Sequence, residues 1–460
     1  MTQVPHFISG RRVEGASGRF QDVYNPVKGE VAAQVPLASV EEVENAIDSS
    51  QQAFAKWSTT NAQRRGRVLL KWVDLINENM DELATLLSNE HGKTFPDAKG
   101  DIQRGVEVVE FAAGAPHLLK GEYSTAAGTG IDVHSLRQPL GVVAGITPFN
   151  FPAMIPLWKA GIALAAGNTF VLKPSERDPS VPVRLAELAL DAGMPEGTLN
   201  VIHGDKTAVD TLIEDPRVKA IGFVGSSPIA QSIYMGAAKH NKRAQCFGGA
   251  KNHMVIMPDA DLEQAADALM GAAYGSAGER CMAISVAVPV GEATADKLVE
   301  LLRERIDKLT LGPSLDESSD FGPVVGKDAK ERIENYIGIG VDEGAELLVD
   351  GRGATVDGHP NGFWVVPRSS TASPRTCEST RKRSSARYCA SPAPLTTRKR
   401  CVCPASTSTA MAWPSSPATV TPHATSPPAW RSAWWASTFR FRCPSRTTPS
   451  VAGRPRASAT

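Results

Sequence analysis

The chain has 460 residues, with 49 basic (Lys and Arg) and 49 acidic side chains, so its formal net charge at pH 7 is zero. This length allows two or three domains with sizeable cores, and the zero net charge implies no bulk attraction to nucleic acid or to an anionic membrane. No apolar run reaches the about 18 residues that suggest a membrane-spanning helix. The first residues also lack the basic-then-apolar pattern of a signal peptide, so we expect a soluble, cytoplasmic protein.

The first hundred residues predict amphipathic helices. "SVEEVENAIDSSQQAFAKW" starts at Ser39 and has Glu42 three residues later, a pattern typical of a capping box at a helix N-terminus. The stretch over residues 62–92, "AQRRGRVLLKWVDLINENMDELATLLSNEHG", predicts two more helices from its apolar spacing.

From residue 140 onward, short apolar runs alternate with helical segments. Strands are predicted for "LGVVAGIT", "TFVLKPS", "TLNVIHG" and "VKAIGFVGS", and helices for "FPAMIPLWKAGIALAAG", "VPVRLAELALDAG" and "AVDTLIEDP". This alternation indicates a parallel sheet with crossover helices, whose ligands bind beyond the carboxyl ends of the strands. No Gly-x-Gly-x-x-Gly follows any of these strands, so the usual dinucleotide fingerprint is absent.

Residues 250–366 repeat the α/β pattern, with strand-like "MVIMPD", "SVAVPVG" and "GAELLVDG" separated by helical segments. Up to residue 366 the chain has two cysteines, Cys246 and Cys281, which indicates a reducing compartment and no disulfide framework.

The composition changes after residue 366. Residues 368–460 contain 15 Lys and Arg but a single acid, Glu378, together with five of the seven Cys and 12 of the 33 Pro. Without apolar periodicity, such a composition favours disorder. A basic tail for nucleic acid is an alternative, but no recognisable binding module is present.

A shift of the reading frame explains this tail more sharply. Codons for "RSSARYC" (383–389) can be chosen so that the neighbouring frame encodes Glu-Ile-Phe-Gly-Pro-Val-Leu. Codons for "TTPSVAG" (447–453) can be chosen so that the same shift gives His-Thr-Phe-Gly-Gly-Trp. Two matches in one frame predict that residues 367–460 are frame-shifted.

The visible motifs and these hidden peptides together resemble the aldehyde dehydrogenase superfamily, and within it the coenzyme-A-acylating methylmalonate-semialdehyde dehydrogenases. The motifs are "TPFNFPAMIPLWK" (147–159), "FVLKPSE" (170–176), "FVGSSPIA" (223–230) and "AGERCMA" (277–283). The resemblance implies an α/β fold with a doubly wound NAD-binding domain (1–118 and 137–248), an oligomerisation arm (119–136) and an α/β catalytic domain (249–366, incomplete). It also implies a homotetramer or homodimer for the intact family, a small-molecule substrate and no metal.

Cys281 matches the nucleophile of the family, and Asn150 matches its oxyanion partner. A thiolate can attack an aldehyde, and the amide N–H of Asn150 with the backbone N–H of Cys281 would stabilise the resulting alkoxide. Without the family motif, Cys281 is equally a small buried hydrophobe and Asn150 a turn residue between two prolines. No His lies near Cys281 in the sequence, so its activation stays open.

Further matches lie at the predicted carboxyl ends of the strands. Lys173 and Glu176 resemble the family's contacts to the cofactor ribose, and a carboxylate there favours NAD over NADP because it repels a 2′-phosphate. Gly225 and Ser226 would let a pyrophosphate approach a helix N-terminus. The resemblance adds Thr147 and Phe149 to the cofactor contacts, whereas we interpret Trp158 as a core residue.

The residue at the position of the family's general base is the most informative departure. Hydrolytic members carry a Glu 34 residues before the cysteine, where this chain has Phe247, and no carboxylate lies between Gln245 and Pro258. A general base contributes about 10²- to 10⁴-fold, so we expect a thioester on Cys281 to pass to coenzyme A rather than to water.

Arg104 and Arg280 resemble the two residues that bind the substrate carboxylate in the methylmalonate-semialdehyde branch. The hypothesis is therefore NAD-dependent oxidation of methylmalonate or malonate semialdehyde to propionyl- or acetyl-coenzyme A, with loss of CO₂. The alternatives are a hydrolytic aldehyde dehydrogenase that uses another base, or an inactive frame-shifted product.

Overall fold

The computed structural model describes residues 2–366 together with two short segments, 369–371 and 402–404. The strands are β1 (Thr2–Gln3), β2 (His6–Ile8), β3 (Arg11–Val13), β4 (Phe20–Asn25), β5 (Glu30–Pro36), β6 (Tyr123–Gly128), β7 (Ile131–His134), β8 (Val142–Ile146), β9 (Thr169–Lys173), β10 (Leu199–Val201), β11 (Val218–Val224), β12 (Arg243–Phe247), β13 (Asn252–Ile256), β14 (Ile284–Pro289), β15 (Glu346–Val349), β16 (Ser369–Thr371) and β17 (Val402–Pro404).

The helices are α1 (Val40–Trp57), α2 (Ala62–Glu78), α3 (Met80–His91), α4 (Phe95–Ala113), α5 (Ala115–Leu118), α6 (Met154–Ala165), α7 (Ser180–Asp191), α8 (Lys206–Glu214), α9 (Ser227–Lys239), α10 (Leu262–Leu269), α11 (Glu292–Ile306) and α12 (Lys327–Asp342). The predicted capping box is confirmed, because Ser39 accepts from the Glu42 N–H while the Glu42 carboxylate accepts from the Ser39 N–H.

A seven-stranded sheet in the order β12-β11-β8-β9-β10-β2-β3 forms the first half of the chain. The five strands from β8 to β12 are parallel, and β2 and β3 extend the β10 edge in antiparallel pairing. The chain builds outward from β8 through β9 to β10, then returns to place β11 on the other side of β8. The predicted parallel sheet is confirmed, and its topological switch point lies between β8 and β11, where ligands bind in such sheets.

Helices cover the sheet from two separate apolar cores, as a doubly wound fold requires. One core draws on α2, α3, α4, α6 and α7, and the other mainly on α1, α8 and α9. All five residues of β8 and all five of β9 are buried, which explains why both strands are continuous apolar runs in the sequence.

A five-stranded sheet in the order β13-β14-β17-β16-β15 forms the second half, with α10 and α11 packed on β13 and β14. The predicted second α/β region is thus confirmed. For β16 and β17, the expectation of a disordered tail is wrong, because backbone pairing places both between β14 and β15. The other residues of the predicted frame-shifted tail lie outside the described residues.

A two-stranded hairpin, β6 and β7, lies within the predicted oligomerisation arm. The first large sheet ends at Phe247 and the second begins at Asn252, so the predicted domain boundary at 248 falls between them. The functional roles assigned to these three regions stay predictions.

A short segment, residues 90–95, joins the two halves of the fold, and we call it the junction segment. Gly92 O accepts from Ser314 Oγ at 2.8 Å, and Phe95 N donates to Ser314 O at 2.9 Å. Gly92 has a φ of 94°, and a Cβ there would come within 2.7 Å of Pro323 O, so both the backbone and the close approach require glycine.

Within the described part of the chain, no helix combines the length and the apolar character needed to cross a membrane.

Candidate active site

Cys281 lies on a loop between a short distorted helical stretch, residues 270–278, and β14. Its side chain is buried, with 3% exposed. It belongs to an apolar cluster with residues from the ends of β8 and β11 and from the start of α6. The buried members of this cysteine cluster are Phe151, Met154, Ile155, Val224 and Cys281, and the half-buried residues packed against it are Trp158, Phe247 and Ala250.

Burial raises the pKa of the Cys281 thiol to about 11. The charge of Lys93 and the backbone N–H groups of Cys281 and Met282 act in the opposite direction. The resting thiol is therefore protonated at neutral pH, and attack on a carbonyl requires that its proton be removed or that the site become more positive.

Asn150 is fixed against the cysteine loop. Its Nδ2 donates to Glu279 O at 2.8 Å, and its backbone O accepts from Lys93 Nζ at 2.6 Å. The side chain is fully buried, and Oδ1 has no hydrogen-bond partner among the described residues. Because an amide nitrogen carries two hydrogens, one N–H of Asn150 remains for an oxygen bound in the site.

Lys93 holds this arrangement in place, and the sequence did not single it out. Its buried Nζ donates to Asp101 Oδ2 at 2.8 Å and lies 4.1 Å from the centre of the Phe151 ring. Asp101 Oδ1 in turn accepts from Met154 N at 2.8 Å. A buried ion pair with complete hydrogen bonding thus positions the turn that carries Asn150 and the start of α6.

Glu279 and His91 form a second buried pair under the same loop. Glu279 Oε2 lies 3.8 Å from His91 Nε2, and Oε1 accepts from Val325 N at 3.4 Å. Burial raises the pKa of Glu279 to about 8, although the Val325 N–H and the charge of Arg177 oppose this. Burial, with the charge of Lys93, lowers the pKa of His91 well below its ordinary value. Both side chains are therefore neutral at pH 7.

The two predicted carboxylate-binding arginines differ in their surroundings. Arg280 is partly exposed, and its Nη2 donates to Asp97 Oδ1 at 2.5 Å. Arg104 is exposed and lies on α4, the helix that also carries Asp97 seven residues earlier. Residues seven apart share one face of a helix, so Asp97 and Arg104 lie on the same side of α4. Trp158, predicted as core, packs on the cysteine cluster and donates its Nε1 to Arg104 O at 3.0 Å.

The predicted cofactor residues all follow parallel strands at the carboxyl edge. Thr147 and Phe149 follow β8, Lys173 ends β9, and Glu176 lies three residues later. Lys173 Nζ donates to Glu176 Oε2 at 3.1 Å. Burial raises the pKa of Glu176, but the Lys173 charge and hydrogen bonds outweigh it, so the net pKa lies below the ordinary value.

Gly225 and Ser226 join β11 to α9 beside the switch point. A Cβ on Gly225 would lie 2.4 Å from an atom of the Phe223 ring, so only glycine fits without a shift. Ser226 occupies the N-cap position of α9, but its side chain makes no capping hydrogen bond. Thr147 Oγ1 at the end of β8 is buried and has no hydrogen-bond partner among the described residues.

Phe247 ends β12 and pairs with Val224 of β11. Its half-buried ring packs on the cysteine cluster, and Lys159 Nζ lies 5.8 Å from the ring centre. Burial lowers the pKa of Lys159 to about 8. The position predicted for a general base therefore presents hydrocarbon to the nucleophile, with an amine as the nearest charged group that contacts it.

The sequence missed Lys93, Asp97, Glu279 and His91. Lys93 and His91 lie in "NEHGKT", where no pattern separates them from ordinary surface residues. Glu279 stands two residues before the cysteine, which is the one signal that pointed to it. The roles assigned to the predicted site residues stay predictions.

Comparisons with known proteins agree with this geometry. Residues 13–376 match the model of the "Aldehyde dehydrogenase family". A malonate-semialdehyde dehydrogenase of Pseudomonas aeruginosa is 53% identical over 365 residues, which cover 79% of this chain and 73% of that protein. An acylating, mitochondrial methylmalonate-semialdehyde dehydrogenase of Arabidopsis thaliana is 48% identical over 367 residues, covering 79% of this chain and 60% of the relative.

Solved structures show the same likeness. A Sinorhizobium meliloti protein, provisionally described as a methylmalonate-semialdehyde dehydrogenase and solved with NAD, has a TM-score of 0.79 and 58% identity, covering 80% of this chain and 74% of its own. A methylmalonate-semialdehyde dehydrogenase of Oceanimonas doudoroffii gives a TM-score of 0.79 and 50% identity, covering 80% and 75%. By fold, motifs and extent of similarity, the chain belongs to the aldehyde dehydrogenase family.

Proposed function

We propose that the site carries out NAD-dependent oxidation of malonate or methylmalonate semialdehyde, giving acetyl- or propionyl-coenzyme A and CO₂. The observation that carries this proposal is the cysteine cluster, in which a buried thiol faces an oriented amide and an aromatic ring stands at the position of the base. The relatives described above, named for these two semialdehydes, support the choice of substrate.

The carboxyl edge of the first sheet fits NAD. Gly225 leaves the start of α9 open for a pyrophosphate, Thr147 offers a buried hydroxyl without a partner, and Glu176 is an ionised carboxylate suited to ribose hydroxyls. Lys173 and Phe149 complete the proposed contacts. When bound, NAD supplies the acceptor for the hydride. The negative charge of Glu176 disfavours a 2′-phosphate, which supports NAD over NADP.

Arg104 and Arg280 would hold the substrate carboxylate. Guanidinium groups bind carboxylates in bidentate fashion, and both arginines lie near the α4 face that borders the cysteine loop. Arg280 precedes the nucleophile directly, so a carboxylate held there stands close to the sulfur. This placement supports an aldehyde that carries a carboxylate on the next carbon.

In the proposed reaction, the Cys281 thiolate forms a carbon–sulfur bond with the aldehyde and creates an alkoxide. The second N–H of Asn150 and the Cys281 backbone N–H stabilise that oxygen, and one such donor contributes about 3–4 kcal/mol. Loss of hydride from the same carbon leaves a thioester on Cys281. The carboxylate two carbons away then leaves as CO₂, its electron pair passing to the thioester carbonyl as an enolate, which takes up a proton.

Release of the acyl group depends on Phe247. A phenyl ring cannot accept a proton from water, so hydrolysis of the thioester lacks the about 10²- to 10⁴-fold help of a general base. The thiol of coenzyme A is a better nucleophile than water and needs less help. Coenzyme A is therefore the proposed acceptor.

The test is product analysis with NAD and malonate semialdehyde, with and without coenzyme A, in the restored reading frame. We expect acetyl-coenzyme A and NADH in equal amounts, little free acid, and no NADH from the Cys281→Ala variant. Full-rate NADH formation without coenzyme A, with the free acid as product, would instead favour the hydrolytic alternative. That alternative needs another base, and Glu279 is the nearest carboxyl in sequence, although Val325 and His91 already face its oxygens.

We also propose that the residues after about 366 are read in a shifted frame. The family match ends at residue 376, and the Pseudomonas aeruginosa relative is covered over 73% of its length. Lys382 and Arg383 stand where the family has the Glu of Glu-Ile-Phe-Gly-Pro, which contacts the nicotinamide ribose. We therefore expect the chain as written to be inactive and the restored frame to be active. Resequencing the DNA around the codon for Val366 tests this directly.

The hairpin of β6 and β7 is the proposed oligomerisation arm. It exposes apolar side chains that a lone chain would leave in water, among them Tyr123 at 62% and Ile131 at 58% exposure. Light scattering on the restored-frame protein should give a dimer or tetramer. Deletion of the hairpin should shift it toward the monomer.

A further inference from the structure

The Arg280 guanidinium is held on three sides. Nη2 donates to Asp97 Oδ1 at 2.5 Å, and Nη1 donates to Gly271 O at 3.2 Å. The third side is the backbone of Gly275, where an added Cβ would lie 2.5 Å from Arg280 Cζ. The guanidinium therefore rests on the Gly275 α-carbon in a place that no larger residue would leave open. Two of its five N–H groups are used in this way, and the others remain for a ligand.

Asp97 also ties down the other end of the cysteine loop. Its Oδ2 accepts from both the backbone N and the Oγ of Ser276, each at 3.0 Å. Ser276 and Ala277 have φ values of 53° and 50°, a left-handed conformation that non-glycine residues rarely adopt. Such conformations persist where the surroundings hold them, and one carboxylate on α4 holds this loop at Ser276 and at Arg280.

We propose that Asp97 and Gly275 are positioning residues that set the preference for carboxylate-bearing aldehydes by fixing Arg280 beside Cys281. The inference rests on the proposed function in one respect, namely that Arg280 receives the substrate carboxylate. Asp97 and Gly275 touch neither the reacting atoms nor the cofactor residues, and they act through Arg280. A guanidinium fixed in advance loses less conformational entropy when a carboxylate binds.

Two variants separate this role from general support of the loop. Asp97→Asn keeps an oxygen that can accept from Ser276 and puts an NH₂ group opposite Arg280, so it ends the ion pair while sparing the Ser276 contact. Gly275→Ala keeps both partners and displaces only the flexible end of Arg280. Gly275 has a φ of −52° and a ψ of 138°, which alanine adopts without strain.

The test uses the full chain and needs no turnover. Cys281 is alkylated with iodoacetate, which carries a carboxylate, and in parallel with neutral iodoacetamide, and the modified peptide is quantified by mass spectrometry. The ratio of the two rate constants measures how strongly the surroundings of Cys281 favour a carboxylate. A loop that is merely loosened changes both rates together and leaves this ratio unchanged.

We expect the iodoacetate-to-iodoacetamide ratio to fall about two- to fivefold in Asp97→Asn and in Gly275→Ala, the range for loss of an exposed charge contact. Arg280→Gln should lower it at least as much. A fall in Arg280→Gln alone would overturn the role of Asp97 and Gly275 and leave the proposed function standing. A ratio unchanged in all three variants would overturn the role of Arg280 as well. A rise in Asp97→Asn would show that Asp97 masks Arg280, which also contradicts the proposal.

Discussion

Phe247→Glu should restore the missing proton acceptor. The ring packs on the cysteine cluster, so a carboxylate at this position would face the thioester on Cys281. Because a positioned base accelerates water attack by about 10²- to 10⁴-fold, hydrolysis of the acyl group should rise by at least the lower figure. The wild-type preference for a thiol acceptor should shrink accordingly.

The electrostatic environment favours an ionised base there. Lys159 Nζ lies 5.8 Å from the centre of the Phe247 ring, and at that distance two unit charges attract by about 3 kcal/mol at an effective dielectric constant of about 20. Burial acts in the opposite direction, as it does on Lys159 itself, whose pKa is lowered to about 8. Loss of the half-buried ring should destabilise the fold by about 2 kcal/mol, roughly half the loss for a fully buried Phe.

Phe247→Gln is the matched control, since it has the same shape and loses the same packing but cannot accept a proton. Both variants can be acylated at Cys281 with p-nitrophenyl acetate, whose release of nitrophenol gives a burst followed by a steady rate set by deacylation. The Phe247→Glu steady rate should exceed that of Phe247→Gln and be less stimulated by coenzyme A. Equal steady rates in the two variants would refute the argument that Phe247 decides the fate of the thioester.

Three further predictions concern the same site. Asn150→Ala should slow acylation of Cys281 about 10²- to 10³-fold, the loss typical of one oxyanion donor; stopped-flow acylation measures it, and an unchanged rate would contradict the role. The rate of Cys281 alkylation by iodoacetamide should rise about tenfold per pH unit from pH 7 to 10, because the thiol pKa is about 11; a plateau below pH 9 would be inconsistent with that value. Glu279 is neutral in the folded chain below about pH 8 but ionises above its ordinary value of 4.5 when unfolded, so its stability contribution is complete below pH 4.5 and is lost as the pH rises to 8. Glu279→Gln should therefore gain Tm over wild type across that range and gain no more above it; a constant difference would count against the buried neutral carboxyl.

Much of the fold could be predicted because it depends on local patterns. The buried runs of β8 and β9 and the Ser39–Glu42 cap specify strands and a helix within a few residues. The family motifs then placed Cys281 and Asn150 without any structure. The residues that each motif carries lie at strand ends, where a parallel sheet gathers them at one edge.

What escaped prediction depends on distant pairs. Asp97 and Arg280 are 183 positions apart, and Glu279 meets His91 from the other half of the chain. Neither Asp97 nor His91 departs from an ordinary helix in its own neighbourhood, so no periodicity or motif distinguishes them. The pairing of β16 and β17 was also missed, because their composition is that of a tail and strand pairing is set by partners far along the chain.

The junction segment limits how ligands can enter and leave. Its bonds from Gly92 and Phe95 to Ser314 join the half that carries the cofactor edge to the half that carries the nucleophile, and Lys93 is buried in the same place. Rotating the halves apart like a clamshell would strand these polar groups at about 1–3 kcal/mol each. Aldehyde and acyl acceptor must therefore thread a fixed crevice, and traffic through the enzyme is governed by side chains at its mouth rather than by hinge motion.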